Sequence, residues 1–345
     1  MSYVFGKPDE DVYDREYNDN KCLYYIEYND NEEWNHVKPI RRKVTIKLTS
    51  GRYYICIGSF NGLICIYGSQ LTYTDAPAMI INPVTKEYVV LPGFDSYPEY
   101  YETKGENSIA YDHLASGFGY LAETNEYKVV RIYKCWAEPT VAEVEVYTVG
   151  SGKRWRHVGK FDFGFSFHTH CNDTHGVFLN GCLHWRNTDG GMVVVFDLVD
   201  EKFRDHITPP PILTDTDDVD DTDGFILIGV SGGGILYYAV CQFIDGENFE
   251  DIWLFMKKND NFETEEHQSW GWIKVPSLDQ REPFAFMENG AAIRYDQGSV
   301  KWFLSETSTF EGCVTFDNIS RQAFPYQHTL VSLKELGEED AEIME

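Results

Sequence analysis

No stretch of this chain approaches the roughly 18–20 consecutive apolar residues that a membrane-spanning helix needs. The opening MSYVFGKPDEDVYDREYNDN has neither the basic start nor the apolar stretch of a secretory signal. Cysteine pairs are missing as well. Cys22, Cys56, Cys65, Cys135, Cys171, Cys182, Cys241 and Cys313 are scattered, none in a C-x-x-C pair, and several sit among apolar neighbours, as in YYICIGS and GLICIYG. That pattern reads as reduced core thiols rather than a disulfide framework, which points to the cytoplasm or nucleus and strips weight from the sequon-like triplets at Asn172 and Asn318. Helical periodicity is almost absent: VSLKELGEEDAEIME near the end is the one candidate, short and charge-rich. Parallel α/β architecture, which needs helical crossovers of a dozen or more residues, is thereby excluded. Positive charge is also scarce, 29 Lys and Arg against 56 Asp and Glu, for a formal net charge of −27. A surface this negative repels phosphate backbones and anionic headgroups, so no nucleic acid and no membrane is expected as partner. It suits a basic protein, or serves solubility.

Aromatics, by contrast, are plentiful: 23 Tyr, 22 Phe and 8 Trp, residues that favour pleated, half-buried strands. They also recur. AMIINPVTKEYVVLP, VEVYTVGSGKRWRHV and VVVFDLVDEKFRDHITP each run from an apolar strand through a polar turn to an aromatic strand. Weaker copies are DIWLFMKKNDNF with WGWIKVP, and CVTFDNISRQAFPY. The aromatics after the turn, Tyr88, Trp155, Phe203, Trp272 and Phe324, are spaced by about 67, 48, 69 and 52 residues. The first half of the unit repeats as SFNGLICIY and LNGCLHW, where Asn61-Gly62 and Asn180-Gly181 are hairpin signals, since a type I′ turn needs positive φ at both central residues. Four strands per period predict an all-β fold, a β-propeller of roughly five to six four-stranded blades. CLYYIEY and KVTIKL, between Cys22 and Leu48, are expected to complete a sixth blade or to close the ring with C-terminal strands, since an open ring exposes strand edges. Trp155, Phe203 and Trp272 are expected at equivalent core positions between blades.

The expected organisation is an acidic, disordered arm over residues 1–20, the propeller over 21–333 and an acidic tail over 334–345. A loop, LTDTDDVDDTDG, carries Asp215, Asp217, Asp218, Asp220, Asp221 and Asp223, the candidate partner-binding residues. It is not an EF-hand, because Val219 and Val230 fall where carboxylate ligands are required. FHTHCNDTHG offers His168, His170, Cys171 and His175 as metal candidates, since His-x-His on a strand points both rings to one face. Gly229-Val230-Ser231-Gly232-Gly233 fits G-x-S-x-G, yet a strand-like GILYYAV follows where a hydrolase elbow needs a helix. Gly117-Phe118-Gly119 likewise lacks the helix of a dinucleotide fingerprint. No catalytic set emerges and no cofactor is implied.

The order GSFNGLICIY, MIINPVTKEYVVLP, GFGYLAETNEYKVVRIY, VEVYTVGSGKRWRHV, GVFLNGCLHWR, VVVFDLVDEKFRDHITPP resembles the F-box-associated interaction domain of plant F-box proteins, the S-locus F-box group among them. The match is strong from about Tyr53 to Pro211 and weaker to about Tyr326. The resemblance implies a non-enzymatic module that recruits a target protein to a cullin-type ubiquitin ligase. A Skp-type adaptor is implied as partner only if an F-box is supplied, because residues 1–20 carry no Leu-Pro helical F-box signature. It also implies a basic, ribonuclease-like target as one class. Two other readings are a propeller hydrolase with carboxylate chemistry at the central channel, and a stand-alone binding module without ligase function. A channel lined by convergent Asp, Glu or His would favour the hydrolase.

Overall fold

The computed structural model describes residues 2–7, 20–27, 40–47, 53–69, 78–93, 111–135, 140–152, 154–162, 175–187, 191–211, 225–230, 234–244, 247–257, 270–275, 283–286, 292–296, 299–304, 309–315 and 322–344. Among them there is no α-helix, and the strands fall into six four-stranded antiparallel units. The first joins β1 (Ser2–Lys7), β2 (Asn20–Glu27) and β3 (Ile40–Lys47) to β24 (Gln322–Tyr326). The second contains β4 (Tyr53–Phe60), β5 (Leu63–Ser69), β6 (Met79–Asn82) and β7 (Glu87–Val90), extended by β25 (Glu342–Ile343). The third runs β8 (Tyr111–Leu121), β9 (Glu126–Cys135), β10 (Val141–Thr148), β11 (Arg156–Asp162), and the fourth β12 (His175–Leu179), β13 (Cys182–Arg186), β14 (Val193–Asp197), β15 (Lys202–Phe203). The fifth comprises β16 (Phe225–Val230), β17 (Leu236–Ile244), β18 (Glu247–Lys257) and β19 (Trp270–Val275). The sixth comprises β20 (Pro283–Phe286), β21 (Ala292–Asp296), β22 (Ser299–Leu304) and β23 (Thr309–Thr315). The innermost strands β20, β24, β4, β8, β12 and β16 touch in succession, so the six blades stand side by side from the sixth through the first to the fifth.

Closure comes from the chain ends. The C-terminal β24 is the innermost strand of the first blade and pairs with β1, Tyr3 opposite Pro325 and Phe5 opposite Ala323. This corrects the expected arm over residues 1–20, since its first residues are a blade strand. The tail expected at 334–345 is corrected too. Residues 327–344 lie back across the second and third blades, and β25 pairs with β7. Like charge alone does not keep these segments in solvent, because strand pairing and buried partners outweigh it.

Local chemistry explains the turns. Asn61 (φ 42) and Gly62 (φ 86), and Asn180 (φ 50) and Gly181 (φ 79), hold the two positive-φ positions of the first hairpin in their blades. Between the third and fourth strands the device differs. Asn82 Oδ1 accepts from the amides of Val84 at 2.9 Å and Thr85 at 3.5 Å, and Asp197 Oδ1 from Val199 at 2.8 Å and Asp200 at 2.9 Å. Side chains that close turns on the backbone are what put Asx residues there. Gly229 lies on β16, paired with Tyr237 of β17, so the G-x-S-x-G match begins in a hairpin.

The repeated aromatics are register-equivalent. Tyr88 is the neighbour of Ile81 across its hairpin, Phe203 of Phe196, and Trp272 of Phe255. Trp155, just before β11, packs on Tyr147 with ring centroids 5.6 Å apart. Each wedges against the preceding blade. Trp155 joins the core of the second blade and donates Nε1–H to Pro92 O at 2.7 Å. Phe203 meets Phe161 of the third blade edge-on at 4.8 Å, and Trp272 donates to Thr208 O, past the end of the fourth, at 2.6 Å. Trp155 is buried, whereas Phe203 and Trp272 are only half-buried, because the blades splay apart towards the rim. Phe324 belongs to β24, and its side chain lies outside the described residues.

Nearer the axis the blades close on glycine. β8 and β12 pair in parallel, His175 with Ser116 and Gly176 with Gly117, fusing the third and fourth blades into one ladder. A Cβ on Gly117 would lie 2.8 Å from Leu183, one on Gly119 2.5 Å from Leu198 and Phe178, and one on Gly176 2.5 Å from Trp185. Trp185, fully buried, donates to Ser116 O at 2.8 Å. Arg131 and Glu145, a cross-strand pair with side chains 3% and 4% exposed, bond at 2.5 Å under the Trp155 ring, whose centroid is 4.2 Å from the guanidinium carbon. A buried charge needs such a partner to be tolerated.

Trp155→Ala is expected to cost about 3–5 kcal/mol, the range for a buried aromatic. Equilibrium denaturant unfolding checks it, and a loss below about 1 kcal/mol would contradict the wedge.

Candidate protein-binding face

A disc of four-stranded blades has two ends. One carries the hairpin turns inside each blade, among the described residues 61–62, 83–86, 122–125, 149–152, 180–181 and 198–201. The connections β5–β6, β7–β8, β9–β10, β11–β12, β13–β14 and β15–β16 join the opposite strand ends, because consecutive strands of a blade run antiparallel.

The hairpin end is covered over two blades by a C-terminal strap, residues 327–344. It starts at Thr329, whose hydroxyl donates to Asn61 O at 2.9 Å. Asn82 Nδ2 donates to Val331 O at 2.7 Å and Thr329 O at 3.2 Å. The Glu87 carboxylate accepts from Ser332 Oγ at 2.9 Å and the Leu333 amide at 2.7 Å. Leu333, Ala341 and Met344 are buried. Further along, Glu338, 3% exposed, accepts from the Tyr147 hydroxyl at 3.0 Å and the Gly150 amide at 2.7 Å. Tyr88 donates its hydroxyl to Glu342, and the Met344 amide reaches Lys86 O at 2.7 Å. Glycine makes the fit possible. Gly150 (φ +82) would place a Cβ 1.7 Å from Leu336 O, and Gly62 (φ +86) would place one 1.7 Å from Thr329 Oγ1. Sequence reasoning missed the strap because its anchors, Asn82, Glu87 and Gly150, lie far from it in the chain. VSLKELGEEDAEIME instead forms turns and the short β25.

Where the third and fourth blades meet, Lys128 is buried and donates to Leu198 O at 2.8 Å and Glu201 at 2.9 Å, and Glu201 also takes Arg156 at 2.5 Å. Burial pushes the Glu201 carboxyl up, but the hydrogen bonds from Arg156 and Lys128 outweigh it and hold the group below its ordinary value. Arg204 clamps Asp197 at 2.7 Å and Asp200 at 2.6 Å. These charges fix blade contacts and tie down the 198–201 turn.

Most of the sequence candidates fall outside the described residues. Asp215, Asp217, Asp218, Asp220, Asp221 and Asp223 belong to the β15–β16 connection and lie outside the described residues. So do His168, His170 and Cys171, in the β11–β12 connection. His175 is described, half-buried at the start of β12 beside Ser116. Among the described residues no three His, Cys, Asp or Glu side chains converge as a metal site. Of Asp, Glu and His, the six innermost strands carry only Asp112, His113 and His175. Cys56 and Cys65 form no disulfide, and burial raises both thiols well above the ordinary value, which makes them inert.

The sequence pattern of the F-box associated beta propeller domain matches residues 16–232, more than half of the chain. The chain belongs to this family. Its relatives carry the same association. A putative F-box protein of Arabidopsis thaliana, At1g32420, is 32% identical over 160 residues, covering 45% of this chain and 44% of its own length. F-box protein At4g22390 of the same plant is 25% identical over 259 residues, 70% of this chain and 57% of its own. The chain thus spans about half the length of the relatives it matches. Among solved structures, the AfRom2 CNH domain covers 92% of the chain and 86% of its own at a TM-score of 0.33 and 12% identity, too distant to bear on function. Among the described residues no helix is long and apolar enough to cross a membrane.

The strap is expected to be held by its buried carboxylate. Glu338→Ala leaves the Tyr147 hydroxyl and Gly150 amide without their acceptor, at about 1–3 kcal/mol for each unmet buried group. Gly150→Ala pushes the strap off directly. Limited proteolysis should release residues after Tyr326 from both variants faster than from the parent chain, and unchanged cleavage would contradict the anchoring.

Proposed function

We propose that this chain is the target-recognition module of an F-box type ubiquitin-ligase subunit, and that it holds a protein target at the end of the disc opposite the strap. The observation that carries the reading is the division of labour between the two ends. Over the second, third and fourth blades the hairpin end consists of tight turns, and over two blades it is filled by the chain's own C-terminus. The two longest connections, β7–β8 and β15–β16, leave the ring at the other end, and rigid scaffolds display recognition on such connections. Family membership supports the same reading. The scarcity of Asp, Glu and His on the innermost strands favours binding over carboxylate chemistry at the channel, and so weighs against the hydrolase reading. The buried carboxylates Glu87, Glu145 and Glu338 are committed to structural partners.

Within this reading the target is basic. A charge of −27 raises the association rate with a cationic partner, and screening over about 8 Å at physiological salt leaves the effect to carboxylates near the contact. The aspartates of the β15–β16 connection are the candidates, a basic, ribonuclease-like protein being one class that meets them. Engagement of a Skp-type adaptor falls to an F-box supplied beside the propeller, and the site of action is the cytoplasm or nucleus.

Fused to a promiscuous biotin ligase, the chain is expected to label a protein that accumulates when the proteasome is blocked. Labelling no different from the free ligase would contradict the reading. With that target in hand, replacing Asp217, Asp218, Asp220 and Asp221 by Asn is expected to slow association several-fold at low salt and less at physiological salt. An unchanged low-salt rate would remove this connection from the interface.

A further inference from the structure

The outer edge of the fifth blade is unlike those of the first four. The edge of β7 is capped by β25, and β15 is only two residues long. β3 reads IRRKVTIK and β11 reads RHVGKFD, edges guarded by charge, which is how sheet proteins prevent unwanted strand pairing. β19 reads WGWIKV and, among the described residues, no strand lies beyond it. Its Trp270 is 57% exposed, stacked on Phe255 at 5.6 Å, and Ile273 is 39% exposed. Its one charge, Lys274, is already met by Asp251 at 2.6 Å and sits 5.6 Å from the Trp253 ring. A six-residue, largely apolar edge whose one charge is offset by Asp251 of the neighbouring strand is a template for another strand.

We infer that β19 pairs with β19 of a second copy of this chain, antiparallel about a two-fold axis at Trp272, giving a homodimer joined through its fifth blades. The register follows from which residues share a face. Trp270, Trp272 and Lys274 project to the side shared with Trp253 and Phe255, and Gly271 and Ile273 to the other. Facing strands in an antiparallel pair place like sides together, so a centre at Trp272 sets Trp270 against Lys274 of the other copy and Gly271 against Ile273. The first contact lays an ammonium on an indole, and the second gives the branched side chain room beside a residue with none. No carboxylate of the strand meets a carboxylate, so two chains of charge −27 can approach here with their like charges elsewhere screened over about 8 Å. A strongly charged foreign partner would find no free charge on the strand. The contact is isologous, and it closes at two copies instead of growing.

Analytical ultracentrifugation of the full chain over a dilution series tests this. The parent is expected to show a monomer–dimer equilibrium. Trp270→Lys, which sets lysine against Lys274 twice, is expected to weaken dimerisation at least tenfold. Trp270→Lys with Lys274→Glu, which restores opposite charges across the axis, is expected to recover most of it. Because Trp270 is exposed, the variants should keep the parent's circular dichroism and melting temperature. A parent that stays monomeric up to about 100 μM would overturn the proposal. So would a dimer that Trp270→Lys leaves intact, or one that the second change fails to restore.

Discussion

The disc rests on a repeated wedge. In successive blades an aromatic from the outermost strand presses back against the blade before it, and for Trp155 and Trp272 the indole N–H ends on a backbone carbonyl there. A four-stranded sheet alone leaves both faces wet. The wedge removes one face from water and supplies direction, since an indole finds its acceptor in only one relative placement of two blades. At Trp155 it does a third thing: it roofs the buried Arg131–Glu145 pair, whose charges would be costly without a partner. Glycines at the inner strands, Gly117, Gly119 and Gly176, then let the blades meet near the axis as the wedges hold them at the rim.

Much of this was legible in the sequence because its cause is local. Asn61-Gly62 and Asn180-Gly181 adopt the positive φ that the dipeptide favours, and the aromatics after each polar turn recur in register. The count of six blades was less so. The first blade draws β24 from the far end of the chain, and no local pattern announces a partner some three hundred residues away. The strap was illegible for the same reason. Glu87 and Glu338 read as two more acids in an acidic chain, yet each is a buried acceptor for specific amides and hydroxyls. The glycine pair of GFGYL misleads in the opposite sense: it has the look of a phosphate-binding turn and serves interblade packing.

This architecture constrains function through what it uses up. Closure by β24 and the strap commit the C-terminus to the hairpin end, so any partner over the second and third blades there would have to displace buried contacts. The charged residues around Glu201 and Arg204 are spent on one another. On the proposed reading recognition falls to the opposite end, where an F-box associated propeller can vary its connections without disturbing wedge, glycine contact or closure.

Hydrogen exchange of the chain with and without its captured target tests this account most directly. The account predicts new protection where β7, β11 and β15 end and β8, β12 and β16 begin, with the strap from Thr329 to Met344 and the Asn61-Gly62 turn unchanged. Protection confined to the strap and the hairpin turns would contradict it.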